Sequence, residues 1–209
     1  MSARREAVAQ YARALRFADA LPPRERAALL EAYADECGRT DDQAEAVRAR
    51  ERALDIWRAL GERLHEARSL LKLSSEVMRV GRSAESDETS LEARRILDAL
   101  PYPLERARAY LHEGNVRMLE RDNAAAVAWC RRALALAGDA ADLNFRISAH
   151  NGLGTAQLMS GEDEQGVANL LKSAELAREA GRELQVVNAY SMLGTGSGEL
   201  YEFARAEHY

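Results

Sequence analysis

The sequence predicts an all-α protein in which antiparallel helix pairs stack along one direction as an α-solenoid. Alanine makes up about a fifth of the 209 residues and aromatic residues only 6%, a composition that favours helices over sheets. The sequence also repeats at an interval of 40 residues, and glycines or prolines separate its apolar stretches. Helix, short loop and helix at a fixed period are typical of a solenoid.

Small residues recur at fixed places in each repeat. In the first helix of a pair they are Ser74, Gly114, Gly154 and Gly194, and a bulky column precedes them at Leu70, Tyr110, His150 and Tyr190. In the second helix they are Ala46, Ser86, Ala126, Gly166 and Ala206 early on, and Ala53, Ala93, Ala133 and Ser173 later. Because antiparallel helices approach closely only where side chains are small, these columns predict the crossing points within each pair. The bulky column is expected to fill the gap to the next pair.

The columns and breaks place the elements in order. Residues 4–20 are predicted to form a second helix without its first, and a partial pair occupies 184–209. Four complete pairs are predicted at about 24–61, 64–101, 104–141 and 144–181. In the pair 64–101 the helices span about 64–80 and 84–99, and Pro101 cannot lie inside a continuing helix. The other breaks are Gly38, Gly61, Gly81, residues 121–123, Gly138, Gly161 and Gly181. The chain 1–209 is therefore predicted to be one repeat domain.

Both ends of the chain carry part of a helix pair. Repeat proteins normally close with polar capping helices, and neither 4–20 nor 184–209 has that character. We therefore expect a fragment of a longer protein, or a chain that pairs its ends with a partner, including self-association through uncapped ends.

The small-residue columns resemble those of the tetratricopeptide repeat (TPR), lengthened from the usual 34 residues to 40. The match covers nearly the whole chain, although only Pro101 lies near the family's proline at a repeat end. The resemblance implies a right-handed α-solenoid whose first helices line a concave groove for a ligand or partner.

Two segments resemble a narrower group. Residues 11–30 (YARALRFADALPPRERAALL) and 126–137 (AVAWCRRALALA) are similar to the helical repeat region of large ATP-binding LuxR-class regulators, the group that includes the maltose-regulon activator. In that class an ATPase precedes the repeats and a helix-turn-helix DNA-binding domain follows them. The resemblance implies a bacterial sensor domain in which ligand binding biases the neighbouring ATPase.

Charge and composition argue against several classes of protein. Lys and Arg number 29 against 34 Asp and Glu, and the net charge of −5 disfavours direct nucleic-acid binding by this segment. No apolar run approaches the roughly 18 residues of a membrane helix, and the charged start has no signal-peptide core. Cys37 and Cys130 stand alone, as expected of reduced, buried thiols in a cytoplasmic protein.

The groove positions of the TPR family give the candidate site, as the resemblance implies it. The ligand or partner groove residues are Arg68, Ser75, Arg79, Arg108, Asn115, Asn151, Thr155 and Asn188. Arginine can bind carboxylate or phosphate through two hydrogen bonds, and asparagine can bind a peptide backbone. The alternative for any one position is a solvated inner face. The asparagines at three successive first helices favour binding, because amides without partners contribute little to packing.

Other polar groups have structural explanations. Glu113 and Arg117 lie four residues apart and can pair along one helix face. The glycine cluster at 194–198 follows no strand and precedes no lysine, so it predicts a soft helix end rather than a phosphate loop. Trp57 and Trp129 lie on second helices and are expected to fill gaps between pairs.

The sequence contains no constellation for catalysis or metal binding. Residues 112–116 (HEGNV) lack the second histidine of a zinc motif, and residues 161–167 (GEDEQGV) lack the lysine of a phosphate-binding loop. His150 falls in the bulky column and is expected in the core. We therefore predict no enzyme activity, no cofactor and no metal.

The predicted function is protein interaction or ligand sensing by a non-catalytic repeat domain of a LuxR-type ATP-dependent transcriptional regulator. The expected partner is a protein, a peptide or a small-molecule inducer, and neither nucleic acid nor a membrane. The alternative is a free-standing TPR adaptor that binds a peptide or a partner helix in its concave groove.

Overall fold

A computed structural model of the chain describes residues 2–40 and 42–199, and every regular element in this part is helical. The α-helices in these residues are α1 (Ser2–Leu15), α2 (Pro23–Arg39), α3 (Gln43–Leu60), α4 (Arg63–Arg79), α5 (Ser83–Asp98), α6 (Pro103–Leu119), α7 (Asn123–Ala137), α8 (Leu143–Met159), α9 (Asp163–Glu179) and α10 (Glu183–Glu199). Short 3-10 turns cover Ala18–Ala20 and Gly138–Ala140. The predicted all-α fold class is confirmed. None of the helices described has the length and apolar character to cross a membrane.

The helices recur with the predicted period. The first helices of the pairs, α2, α4, α6, α8 and α10, begin at residues 23, 63, 103, 143 and 183. The second helices, α3, α5, α7 and α9, begin at residues 43, 83, 123 and 163. Both series advance by 40 residues, and each first helix from α2 to α8 packs against the second helix that follows it.

The chain divides into two compact units, Met1–Pro101 and Tyr102–Tyr209. In the first unit α1 packs on α2, and the pairs α2–α3 and α4–α5 meet through α3 and α4. In the second unit the pairs meet through α7 and α8, and α10 packs on α9. The first helices α6, α8 and α10 also contact one another in that order, so they form one continuous wall of the second unit.

Small residues lie at the helix crossings, as predicted. Ser74 on α4 and Ser86 on α5 are both fully buried, and each hydroxyl donates to the main-chain carbonyl of the other residue, at 3.0 and 2.9 Å. Between α8 and α9, a Cβ on Gly154 would lie 2.7 Å from the carbonyl oxygen of Gly166. Backbone meets backbone at that crossing, and only glycine leaves room for it.

The two tryptophans fill different gaps. Trp57 on α3 is 3% exposed and stacks on His65 of α4 with ring centroids 4.5 Å apart, so it fills a gap between pairs as predicted. Trp129 on α7 packs edge-on against Tyr110 of α6 at 5.3 Å, and the Arg132 guanidinium lies 4.7 Å from its ring. This ring contact lies inside the pair α6–α7 and differs from the prediction, because the bulky residue of that repeat faces its own second helix.

The helix predicted over 4–20 is shorter than expected, and α10 follows the prediction. Helix α1 ends at Leu15, and Leu21 is already extended, with φ −83° and ψ 148°. A residue that precedes a proline avoids the helical region, so Pro22 shortens the helical stretch. Helix α10 runs over Glu183–Glu199, whereas the partner helix expected to begin at 203–209 lies outside the described residues.

Candidate functional site

A cavity of about 260 Å³ lies among α6, α8, α9 and α10 in the second unit. Its lining carries four side-chain amides, on Asn115, Asn151, Gln185 and Asn188, and no charged side chain. The other lining residues are Met118, Ile147, Ser148, Gly152, Thr155, Ser173 and Met192. We call this space the amide cavity. In a chain with 30% charged residues, an uncharged lining of this kind presents a neutral hydrogen-bonding surface.

The helical repeat places the three asparagines of the cavity on successive first helices. Asn115 lies on α6, Asn151 on α8 and Asn188 on α10. Asn115 and Asn188 are exposed and Asn151 is half-buried. Within the described residues, none of these three side-chain amides forms a hydrogen bond to the protein. Each amide therefore presents both a donor and an acceptor to whatever enters the cavity.

Two small side chains shape the floor of the amide cavity. A Cβ at Gly152 would lie 3.0 Å from Asn115 Oδ1 and 3.4 Å from Leu111 Cδ1, so the missing side chain makes room for the asparagine. Thr155 is 5% exposed, and its hydroxyl donates to the main-chain carbonyl of Asn151 at 2.9 Å. Its proton is committed to the helix, so Thr155 belongs to the floor of the cavity.

A second cavity of about 200 Å³ adjoins the amide cavity on the side of Arg108, and the two share Asn115 and Ser148. Arg108 forms an ion pair with Asp142, whose other carboxylate oxygen accepts the main-chain N–H of Phe145 at 2.8 Å and so caps α8. The predicted groove residue Arg108 thus lies beside the asparagines, but its guanidinium is tied to the start of α8.

A third cavity, of about 260 Å³, adjoins the amide cavity where α6 ends, and the two share Met118 and Thr155. Its other lining residues are Leu119, Arg121, Asn123 and Met159. We call it the methionine cavity. Leu119 is 66% exposed, so this end of the groove offers apolar surface to solvent.

The backbone at Arg121 is unusual. Its φ is 65°, and among the described residues it is the non-glycine residue with positive φ. Gly81 and Gly161 occupy the same place in their repeats, with φ of 81° and 80°. A side chain at such a φ is disfavoured sterically, so this turn keeps an arginine where the other two have glycine.

A charged cavity of about 320 Å³ lies in the first unit and contains the predicted residues Ser75 and Arg79. Its other lining residues are Ala34, Asp35, Gly38, Arg39, Lys72 and Glu76. Arg79 donates from Nε to Gln43 Oε1 at 3.0 Å. The candidate residues therefore fall into two groups of different chemistry, Ser75 and Arg79 on a charged surface and the asparagines on a neutral one.

Arg50 connects the carboxylates of the charged cavity. Its side chain is fully buried, and Nη2 lies 2.9 Å from Glu76 Oε1 and 2.5 Å from Asp35 Oδ1. Asp35 also accepts from Lys72 at 2.7 Å, and Glu31 lies 3.7 Å from Arg50 Nη1. This cluster fixes α2, α3 and α4 to one another through charge.

The cluster shifts the two carboxylates in opposite directions. Burial raises the pKa of Glu76 above its ordinary value, although hydrogen bonds from Arg50 act against the rise. Burial also acts to raise the pKa of Asp35, but the hydrogen bond from Lys72 and the charge of Arg50 outweigh it and lower that pKa. Asp35 is therefore the more firmly ionised partner.

Sequence reasoning missed Arg50, although the repeat contained a signal. Ser90, Cys130 and Leu170 occupy the same place in the later repeats, and all three are buried. A charged residue in a buried column requires a partner inside the protein, so the column alone pointed to an internal ion pair.

Arg68 is not brought together with the other predicted groove residues. It is exposed on α4, and it does not belong to the lining of any cavity described above. The helix places it on the solvent side of the charged cavity's wall.

The groups with structural explanations behave largely as predicted. Arg117 Nε lies 3.1 Å from Glu113 Oε1 on the same helix, which confirms the expected pair. His150 is half-buried, not fully in the core, because its Nδ1 is hydrogen-bonded to Asn169 Oδ1 at 2.8 Å. Cys37 and Cys130 are buried free thiols, and burial raises the pKa of Cys130 to about 12. Among residues 2–40 and 42–199, no group of three His, Cys, Asp or Glu is placed to hold a metal ion.

No protein-family model matches the chain, and no curated protein matches it by sequence. Three solved structures that it resembles are helical-repeat proteins. A Rap protein complexed with competence and sporulation factor is 13% identical, with a TM-score of 0.77 over 99% of this chain and 68% of that one. The TPR-like repeats of a kinesin light chain from Podosopora anserina are 14% identical, with a TM-score of 0.66 over 90% and 92%. BtubC from P. vanneervenii is 18% identical, with a TM-score of 0.66 over 85% and 74%. At these identities the likeness shows the fold, and it confirms the predicted TPR-like helical repeat.

Proposed function

We propose that this chain is a non-catalytic helical-repeat binding domain whose amide cavity holds an extended, uncharged segment of a peptide or protein partner. The observation that carries the proposal is the set of hydrogen-bonding amides on three successive first helices, in a cavity without a charged side chain. A peptide main chain offers N–H and C=O groups along its length, and each asparagine can both donate to it and accept from it.

The neutral lining also selects against charged ligands. A charged group in the amide cavity would lose water and find no counter-ion among the lining residues, which is costly. A partner segment of small, uncharged residues meets no such penalty. A neutral small-molecule inducer with several hydroxyl or amide groups would satisfy the same side chains, so it belongs to the same binding test.

The comparisons support binding as the role of this arrangement of helices. The Rap protein that resembles 99% of this chain was solved in complex with competence and sporulation factor. A fold that presents a wall of first helices to a bound molecule in that protein is present here, with asparagines on the equivalent kind of wall.

A peptide-binding measurement tests the proposal directly. Fluorescence anisotropy with labelled hexapeptides of alanine, serine and asparagine should detect binding to the full chain, and Asn115→Ala and Asn151→Ala should each weaken it by about ten-fold, the scale of one lost hydrogen bond. Gln10→Ala, an exposed amide on α1, is the matched control and should bind as the unchanged chain does. Binding that survives both asparagine substitutions contradicts the proposal.

The finer part of the proposal places the domain in a bacterial LuxR-type ATP-dependent regulator, where occupancy of the groove would bias the ATPase. The resemblance of residues 11–30 and 126–137 supports this context. The alternative is a free-standing adaptor that uses the same cavity. The neighbouring coding sequence separates them, because the regulator requires an ATP-binding motif upstream and a helix-turn-helix downstream, and a stop codon near Tyr209 contradicts it.

A further inference from the structure

The methionine cavity contains a hydrogen-bond acceptor that the protein leaves unused. Asn123 donates from Nδ2 to the main-chain carbonyl of Met159 at 2.9 Å, and this bond sets the orientation of the amide. The other amide atom, Oδ1, is buried and has no hydrogen-bond partner among the described residues. Buried acceptors are nearly always satisfied in proteins, so this atom points to a donor from outside the chain.

The first unit shows how the repeat satisfies the equivalent acceptor internally. Gln43 begins α3 as Asn123 begins α7, 80 residues later. Gln43 donates from Nε2 to the Gly38 carbonyl at 2.9 Å, and its Oε1 accepts from Arg79 Nε at 3.0 Å. Arg79 ends α4, and the residue in its place at the end of α8 is Met159. Methionine has no N–H to donate, so the second unit lacks the internal partner that the first unit has.

The surroundings of Asn123 are apolar on one side and cationic on the other. Met118, Leu119 and Met159 supply the apolar wall of the cavity, and Arg121 supplies the charge. The backbone of Arg121 has the left-handed φ that glycine adopts at Gly81 and Gly161. A residue retained there against its backbone preference is retained for its side chain. A guanidinium carries five N–H donors, so its existing contact leaves others for a ligand.

We propose that the methionine cavity is the terminal subsite of the groove and takes the C-terminal residue of a peptide, an inference that rests on the proposed function. The main-chain N–H of that residue donates to Asn123 Oδ1. Its apolar side chain packs on Met118, Leu119 and Met159, and its carboxylate pairs with Arg121.

The neighbouring amide cavity accounts for the rest of the same ligand. The two cavities share Met118 and Thr155, so a chain whose end occupies one continues directly into the other. The specificity is therefore for an uncharged segment that ends in an apolar residue with a free carboxylate. Methionine side chains adapt to different shapes, so the subsite accepts leucine-like residues as a class.

Four labelled hexapeptides test this assignment with the full chain. They share one neutral sequence of alanine, serine and asparagine and end in leucine or serine, each as the free acid and as the amide. The leucine free acid should bind about ten-fold more tightly than its amide and than the serine peptide, as expected for a hydrogen bond to a charged group and for one buried apolar side chain.

Three variants assign the parts of the subsite. Arg121→Gly keeps the turn in the conformation of Gly81 and Gly161, and should remove the preference for the free acid while leaving that for leucine. Met159→Gln brings an uncharged donor to Asn123 Oδ1, as Arg79 does for Gln43, and should remove the leucine preference. Arg79→Met makes the reverse exchange in the first unit and, as the control, should leave both preferences unchanged.

The outcomes separate this inference from the proposed function. Equal binding of all four peptides overturns the terminal subsite while the amide cavity stands. Binding of none of them overturns both. A preference for the free acid that persists in Arg121→Gly overturns the role of Arg121, and circular dichroism of each variant confirms that the helices are intact.

Discussion

Arg50 and Glu76 form an ion pair inside the first unit, between α3 and α4, with Nη2 2.9 Å from Oε1 and neither side chain more than 5% exposed. Asp35 on α2 joins the same guanidinium. A charged group buried to this degree is tolerated only with partners, so the pair ties three helices into one arrangement and makes each member depend on the other.

Replacing Arg50 should therefore destabilise the first unit strongly. Arg50→Met keeps much of the side-chain volume but leaves Glu76 buried without its partner, and we expect a loss of about 3–5 kcal/mol in the free energy of unfolding by urea titration. The double variant Arg50→Met with Glu76→Gln should recover part of that loss. Arg48→Met, two residues away in an exposed pair with Glu45, is the matched control and should unfold like the unchanged chain.

The lowered pKa of Asp35 predicts a loss of stability in acid. Its folded-state pKa lies below the unfolded value, so the carboxylate stabilises the fold above about pH 4, the ordinary pKa of aspartate, and the contribution disappears as the pH falls through the folded pKa. The groups that face it are Arg50 on α3, Lys72 and Glu76 on α4, and Glu31 on its own helix.

Asp35→Asn isolates this effect from the other carboxylates. The variant should be less stable than the unchanged chain at neutral pH, and the difference in free energy of unfolding should shrink as the pH is lowered. A difference that stays constant across the acid range would show that Asp35 does not titrate in the way its partners require. Glu76 titrates with the opposite sign, because its pKa is raised, and is present in both proteins.

The backbone contact at Gly154 predicts that a single methyl group disrupts the pair α8–α9. Gly154→Ala would place Cβ 2.7 Å from the Gly166 carbonyl oxygen and 2.9 Å from the Leu170 nitrogen, atoms that cannot move without the helix. We expect a loss of about 1–3 kcal/mol by chemical denaturation, the usual cost of overpacking. At Gly38 in α2 the nearest atom to a new Cβ is 3.6 Å away, so Gly38→Ala should be neutral or slightly stabilising. Equal effects at the two glycines would contradict the crossing.

The glycine cluster in α10 predicts rapid amide exchange at the end of that helix. Each interior glycine costs a helix about 0.5–1 kcal/mol relative to alanine, and Gly194, Gly196 and Gly198 lie within one short stretch. Hydrogen exchange followed by mass spectrometry should be fastest from about Leu193 onward and slow in α8. Strong protection over residues 193–199 would show that packing outweighs the glycines.

The sequence alone was sufficient to predict the helix pairs, their 40-residue period and the residues at their crossings. These features depend on side-chain size and backbone preference within one repeat, as Ser74 with Ser86 and Gly154 with Gly166 show. Because every repeat meets the same steric requirement, the pattern recurs along the chain and can be recognised without a structure. The boundary at Leu15 was missed, since the effect of the later prolines on α1 is not part of that pattern.

The tertiary structure alone decided which polar side chains act together. Arg50 and Glu76 are 26 residues apart, and Asn123 and Met159 are 36 apart, so their contacts depend on how separate helices pack. The same packing gathered the asparagines into a neutral cavity, left Arg68 outside the cavities and put Arg79 beside Gln43. Periodicity identifies the face of a helix on which a residue lies, whereas the partner that faces it is set by distances between helices that no local pattern encodes.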